Sequence, residues 1–289
     1  MAPRPCTEVT LRCSLLLEEP LSALLWQWGT AGTASRAKGR CLELRGYLPR
    51  LLGRAEACRL RSEVLEIARF VAPGSKPRVS ITRLSQSFRA LAWRRQFAPV
   101  RAGRGLLVVA PWHRGLAAPR VRIVIAPALA FGTGHHPTTR ACLILLERLR
   151  PRGARVLDVG TGTGILGIAA AKLGAAAVLA TDNDPLAVEQ ARANLGRNRV
   201  ARRVTVQECD LVPKCAPPFD LALANIDPPT IVRLCQRMPR LLSRGGVFIA
   251  SGFTSRSLPE IKAALRKARL RIEDRLQLGG WIALCCRLQ

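Results

Sequence analysis

Tyrosine occurs once in the 289 residues, methionine twice, histidine three times and lysine six times. Long apolar runs are missing as well: stretches such as 165–171 and 143–146 fall far short of the ~20 residues a membrane helix needs, so no membrane association is predicted. The ten cysteines include no CxxC pair, and none is spaced with a histidine as zinc ligands are. Cys142, Cys285 and Cys286 lie among apolar neighbours, which reads as buried, reduced thiols. Leu15–Leu17 is cut off by Glu18 and Glu19, so no signal peptide is read. Reduced thiols without a signal peptide predict a cytoplasmic protein. Polar low-complexity tracts and internal repeats are also lacking, and with 48% apolar residues the chain is long enough for a real core and roughly two domains.

Cations are abundant: 46 Lys plus Arg against 19 acids, a net charge of +27. Forty of the cations are arginine, and alanine, glycine and proline are plentiful. One reading is a nucleic-acid or ribosome-associated partner; the other is the codon usage of a GC-rich genome. The surplus is +15 over residues 1–126 (22 basic, 7 acidic) and +12 over 127–289 (24 basic, 12 acidic).

Residues 1–84 read as a small α+β domain. Strand-like alternation over 7–13 is followed by a helical pattern over 18–28, with Leu21, Leu24, Leu25 and Trp28 on one face. Possible strands lie within 29–39 and over 41–47. A second helix is expected over 54–71, ended by Pro73-Gly74, and a last strand over 78–83. The order βαββαβ predicts a ferredoxin-like sandwich. Residues 85–126 form a connector, with a short basic helix over 85–96 and strands over 106–109 and 121–125. From 127 to 289 strands and helices alternate, predicting a mostly parallel, Rossmann-like sheet covered on both faces. One helix is expected over 230–242, and the strands over 269–276 and 281–288 suggest an added antiparallel hairpin.

The strongest local signal is Val156-Leu-Asp-Val-Gly160-Thr-Gly162-Thr-Gly164-Ile-Leu-Gly167. An apolar strand enters a glycine turn and a helix leaves it. Glycines permit positive φ and close ligand approach, and the helix N-terminus offers free N–H groups. A nucleotide-like ligand is expected. Gly162 to Gly167 fits GxGxxG, with Asp182 twenty residues after Gly162, as in dinucleotide sites. Three features favour S-adenosylmethionine instead: Asp158 in the strand before the turn, Asp182 at the end of the next strand, and Asn225-Ile-Asp-Pro-Pro229 after the fourth. Asp184 reads as the cap of the helix starting at Pro185. A second segment, Phe131-Gly-Thr-Gly-His-His-Pro-Thr-Thr139, places two hydroxyls in the first turn of a helix beginning at Pro137. His135 and His136 have no third ligand spaced to join them, so no metal site is assigned.

Together these segments resemble the ribosomal protein L11 methyltransferases of PrmA type. The signature loop 131–139, the glycine motif 158–166, Asp182-Asn-Asp-Pro185 and the connector with Trp93–Phe97 and Pro111-Trp112-His113 all carry the likeness. It implies a class I S-adenosylmethionine-dependent enzyme that methylates amino groups of a large-subunit ribosomal protein, recognised by the N-terminal lobe. Carried over, Thr139, Gly160, Gly162, Asp182 and Asn225 would contact the cofactor. Thr139 would lie near its methionine end, Asp182 at the ribose, and Asn225 beside the methyl group and the incoming amine. Asp227 is a candidate proton acceptor. The family has Asn-Ile-Leu where this chain has Asn225-Ile-Asp-Pro-Pro. Asp227-Pro-Pro resembles the motif of base-amine methyltransferases, with Thr230 replacing the stacking aromatic. Methylation of ribosomal or transfer RNA bases, and contact with ribosomal RNA, therefore stand as alternatives. A dehydrogenase would need a catalytic His or Tyr/Lys pair that three histidines and one tyrosine do not convincingly supply.

Overall fold

The computed structural model describes residues 6–30, 33–39, 41–84, 97–113, 115–116, 120–126, 132–213 and 216–289. The helix expected over 85–96, with Trp93, Arg94 and Arg95, lies outside the described residues, as does the start of the signature loop through Phe131. The chain divides into two compact units, Met1–Ala98 and Pro99–Gln289.

In the first unit, β1 (Cys6–Ser14), α1 (Glu18–Gln27), β2 (Thr33–Lys38), β3 (Cys41–Leu48), α2 (Arg54–Val71) and β4 (Arg78–Leu84) follow in order. Its sheet has the order β2-β3-β1-β4 with every pair antiparallel. Alternation on β1 turns Val9, Leu11 and Cys13 inward, where they meet Leu21, Leu24 and Leu25 of α1 and Leu60, Val64 and Ala68 of α2.

The second unit begins with β5 (Val100–Ala102), β6 (Leu106–Val109) and β7 (Val121–Val124), a three-stranded sheet. β5 was not anticipated: three residues are too few to show a period. The helices are α3 (Pro137–Leu149), α4 (Ile165–Lys172), α5 (Pro185–Asn198), α6 (Pro228–Cys235), α7 (Met238–Leu241) and α8 (Leu258–Lys267). The strands are β8 (Arg155–Val159), β9 (Ala177–Asp182), β10 (Val204–Glu208), β11 (Phe219–Asn225), β12 (Leu242–Thr254), β13 (Leu270–Leu278) and β14 (Trp281–Leu288). They form one sheet in the order β10-β9-β8-β11-β12-β14-β13. The first five are parallel, β14 runs antiparallel to β12, and β13 antiparallel to β14.

Both faces of this sheet are buried. Leu221 and Leu223 of β11 join a core that includes residues of α3, α4 and α5, whereas Ala222 and Ala224 face one that includes residues of α6, α7 and α8. The single helix expected over 230–242 is instead two. Pro239 has no N–H to give the carbonyl of Cys235, so α6 stops there and α7 restarts with the proline in its first turn. Among the described residues no helix is long and apolar enough to cross a membrane.

Candidate active site

The site lies at the C-terminal ends of β8, β9 and β11, where ligands of open α/β sheets sit. β8 delivers Asp158 and then the turn at Gly160 (φ +66°), Gly162 (φ +54°) and Gly164 (φ +81°). Only glycine enters that conformation freely, and a Cβ on Gly160 would stand 2.3 Å from Ile226 Cγ2. The turn therefore presents bare backbone. Asp158 ties it together from below: Oδ2 accepts from the Thr161 hydroxyl (2.6 Å) and from the Gly167 N–H in α4 (2.9 Å). Its other oxygen, Oδ1, is buried and has no partner among the described residues. Burial pushes this carboxyl up to about 6; the two hydrogen bonds act against the rise, and the nearby Asp182 charge adds to it.

At the end of β9, Asp182 accepts the Gly162 N–H on Oδ2 (2.8 Å) and the Asp184 N–H on Oδ1 (3.1 Å). Each oxygen keeps a further lone pair. Asp184 caps α5 by accepting from Leu186 N–H at 2.9 Å, the role expected of it.

Thr139 is fully buried in the first turn of α3. Its hydroxyl accepts from Asn225 Nδ2 at 3.3 Å, across 86 residues of sequence. Asn225 Oδ1 is buried and has no partner among the described residues. Two residues predicted separately thus meet, with one acceptor left over. Asp227 does something else: it caps α6, accepting from Thr230 N–H at 3.0 Å, with Pro228 and Pro229 in the first turn. Helix initiation accounts for the Asp-Pro-Pro segment.

His136 caps α3. Its Nδ1 lies 2.7 Å from the Thr138 hydroxyl, and its ring stands edge-on to Trp281 at 4.7 Å between centroids. Burial pushes the imidazole down to about 4, so it is neutral at physiological pH.

Three further residues went unnoticed in the sequence. Gln190, Asn194 and Asn198 recur every fourth position and share a face of α5. Asn198 brackets Val124, accepting from its N–H (2.8 Å) and donating to its carbonyl (2.6 Å). Asn194 accepts from Ala126 N–H (3.1 Å) and donates to Thr163 carbonyl (2.9 Å), and Gln190 donates to Ala126 carbonyl (2.9 Å). Thr163 in turn donates to Gly132 carbonyl at 2.6 Å. The glycine turn, the signature loop and α5 form one network. The amide spacing of four was the available signal. Gly252 (φ +104°) was also missed: a Cβ there would stand 2.0 Å from Ile226 carbonyl oxygen.

The model of the ribosomal protein L11 methyltransferases (PrmA) matches residues 5–289. The chain belongs to this family. It is 39% identical over 247 residues to the ribosomal protein L11 methyltransferase of Pelotomaculum thermopropionicum, covering 85% of this chain and 79% of that protein. To the enzyme of the same name from Geobacillus kaustophilus it is 38% identical over 211 residues, 72% of this chain and 68% of that protein. The crystal structure of ribosomal protein L11 methylase from Lactobacillus delbrueckii subsp. bulgaricus superposes with a TM-score of 0.62 at 33% identity, covering 66% of this chain and 99% of that one. The second unit has the α/β methyltransferase fold, with a mixed central sheet.

As a member of this methyltransferase family the chain uses S-adenosylmethionine as methyl donor. The residues fit that group. The glycine turn exposes main chain, Asp182 carries spare lone pairs for hydroxyls, and two buried acceptors, Asp158 Oδ1 and Asn225 Oδ1, have no protein partner among the described residues. Leaving buried acceptors unmatched costs roughly 1–3 kcal/mol each. Orphans of this kind mark where a ligand's donors belong.

Proposed function

We propose that this chain transfers methyl groups to amino groups of ribosomal protein L11, on a lysine side chain, the N-terminal amine or both, in the cytoplasm. The observation that carries the reading is the Thr139–Asn225 contact, which leaves Asn225 Oδ1 open at the C-terminal end of β11. The bound sulfonium supplies an electrophilic methyl group. What this chain must do is align an amine with it and exclude water. In this reading Asn225 Oδ1 accepts an N–H of the amine and so aims its lone pair. Thr139 holds the Asn225 amide in that rotamer. Gly160 and Gly162 lay backbone against the cofactor, and Asp182 accepts its ribose hydroxyls. The substrate amine must arrive deprotonated; Asp227 accepts the Thr230 N–H on Oδ1 at the start of α6.

We read the first unit as a ferredoxin-like lobe that recognises the ribosomal protein; its βαββαβ order and the sheet order β2-β3-β1-β4 support this. Purified L11, and separately whole ribosomes, incubated with the enzyme and methyl-labelled S-adenosylmethionine, should carry label in one protein band. Label confined to RNA, or none in protein, would overturn the proposal.

A further inference from the structure

The large net charge is not spread evenly over the second unit. Among the described residues, the C-terminal ends of β8, β9, β10 and β11 carry Asp158, Asp182, Asp184, Glu208, Asp210 and Asp227, with Arg233 paired to Asp210 at 3.0 Å. The opposite edge of the same sheet is the reverse. Arg150 and Arg152 precede β8, Arg199 and Arg202 precede β10, Arg244 lies at the start of β12, and Arg269 precedes β13. The strand registers bring these points into one row: Arg155 opposes Ala177, Val178 opposes Val204, Leu221 opposes Val156 and Val247, and Leu270 opposes Leu288 beside Arg287. Acids thus gather at one edge of the sheet, and arginines without a described partner at the other.

All six of these arginines are exposed. None has a side-chain hydrogen bond or ion pair with another described residue. The carboxylates Asp220, Glu273 and Asp274 lie near this edge and all are engaged, Asp274 with Arg148 at 2.7 Å. Asp220 accepts from Arg155 N–H (2.8 Å) and the Ser243 hydroxyl (3.3 Å), and Glu273 pairs with Arg271 (3.2 Å) and Arg287 (2.9 Å). Among the described residues no large exposed hydrophobic lies there either, Leu116 and Leu186 being those exposed in this unit. With strands about 4.8 Å apart, seven of them span about 29 Å.

We propose that this arginine edge docks the sugar-phosphate backbone of RNA. Each guanidinium is a permanent positive charge that a phosphate oxygen can neutralise. The length of the row calls for a repeated anion. Its lack of apolar side chains removes the contribution a lipid surface would need. The edge faces away from Thr139 and Asn225, so bound RNA leaves the methyl-transfer site open.

The test uses the full chain and a short fluorescein-labelled single-stranded RNA, read by anisotropy across a salt series. Six phosphate contacts predict a slope of log affinity against log salt of about −4, and three lost contacts reduce it to about −2. The triple variant Arg152→Gln, Arg202→Gln, Arg244→Gln should show that reduced slope and at least about tenfold weaker binding near physiological ionic strength. Changing the same three arginines to lysine should retain most of the affinity. Arg54→Gln, Arg61→Gln, Arg69→Gln on α2 removes equal charge from the other unit and should leave the slope unchanged. S-adenosylhomocysteine affinity reports that each variant is folded; should the triple not fold, Arg202→Glu alone reads the same slope. Equal weakening by both glutamine triples would overturn the proposal, since net charge would then suffice. So would absence of RNA binding, or binding of anionic phosphatidylglycerol vesicles in place of RNA.

Discussion

In the proposed reading, Asn225 and Thr139 form a methyl-transfer site that carries little charge. One amide bridges to a buried hydroxyl and keeps its carbonyl oxygen free. Asn225→Ala should lower kcat about 100-fold, the order expected when a reacting group loses its alignment, while calorimetric S-adenosylhomocysteine affinity changes far less. Asp158 offers a second prediction at this scale. Its folded carboxyl titrates near 6 against an ordinary 3.8. A raised carboxyl favours the folded state fully below pH 3.8, and that contribution is lost as pH climbs through 6. Asp158→Asn keeps an oxygen for Thr161 and Gly167 and removes the buried charge. At pH 7.5 the variant should be the more stable in urea denaturation, by up to about 3 kcal/mol, and the difference should vanish below pH 4. Equal pH dependence in the two proteins would refute the assignment.

Among the elements, α3 carries the most consequence, because its first turn presents Thr139. Its cap is an imidazole rather than the usual Ser, Thr, Asp or Asn. Burial holds His136 near 4 in the folded chain against 6.5 unfolded. A depressed histidine leaves stability intact above pH 6.5 and drains it as pH falls towards 4, because the unfolded chain takes the proton first. Between pH 7.5 and 5 this amounts to about 2 kcal/mol. His136→Asn preserves a capping oxygen and should abolish that component, seen as denaturation midpoints that no longer diverge between the two pH values. α5 works differently, as a strip of amides at 190, 194 and 198 that hydrogen-bonds the chain at 124–126 much as a neighbouring strand would.

Across the whole molecule, the two units have separate cores with no residue in common. Residues 99–289 should therefore fold without the first lobe and bind S-adenosylhomocysteine about as tightly as the full chain in calorimetry. Loss of L11 methylation by that fragment would agree with recognition by the N-terminal lobe; full activity would refute it. At this scale the +27 charge also takes on a different meaning. Composition alone favoured codon usage over function, because a count carries no positions. Folding gathers six acids at one edge of the second unit's sheet and six exposed arginines at the other.

Much of this was legible in advance. The βαββαβ order, the strand–glycine turn–helix at 155–172 and the helix at Arg54–Val71 are local patterns, carried by side-chain period, caps and glycine, and each can be read over ten or twenty residues. Thr139, Gly160, Gly162, Asp182 and Asn225 were proposed from segments with their own signatures, and the fold brings Thr139 to Asn225 and Asp182 to Gly162. Contacts across long separations were not legible: Thr139 with Asn225, Asn198 with Val124, and Gly252 against Ile226. The same holds for the fate of Asp227, a candidate base in the sequence and a helix cap in the fold. A carboxylate's role depends on which N–H or proton lies within about 3 Å of it, and that neighbour is chosen by chain folding.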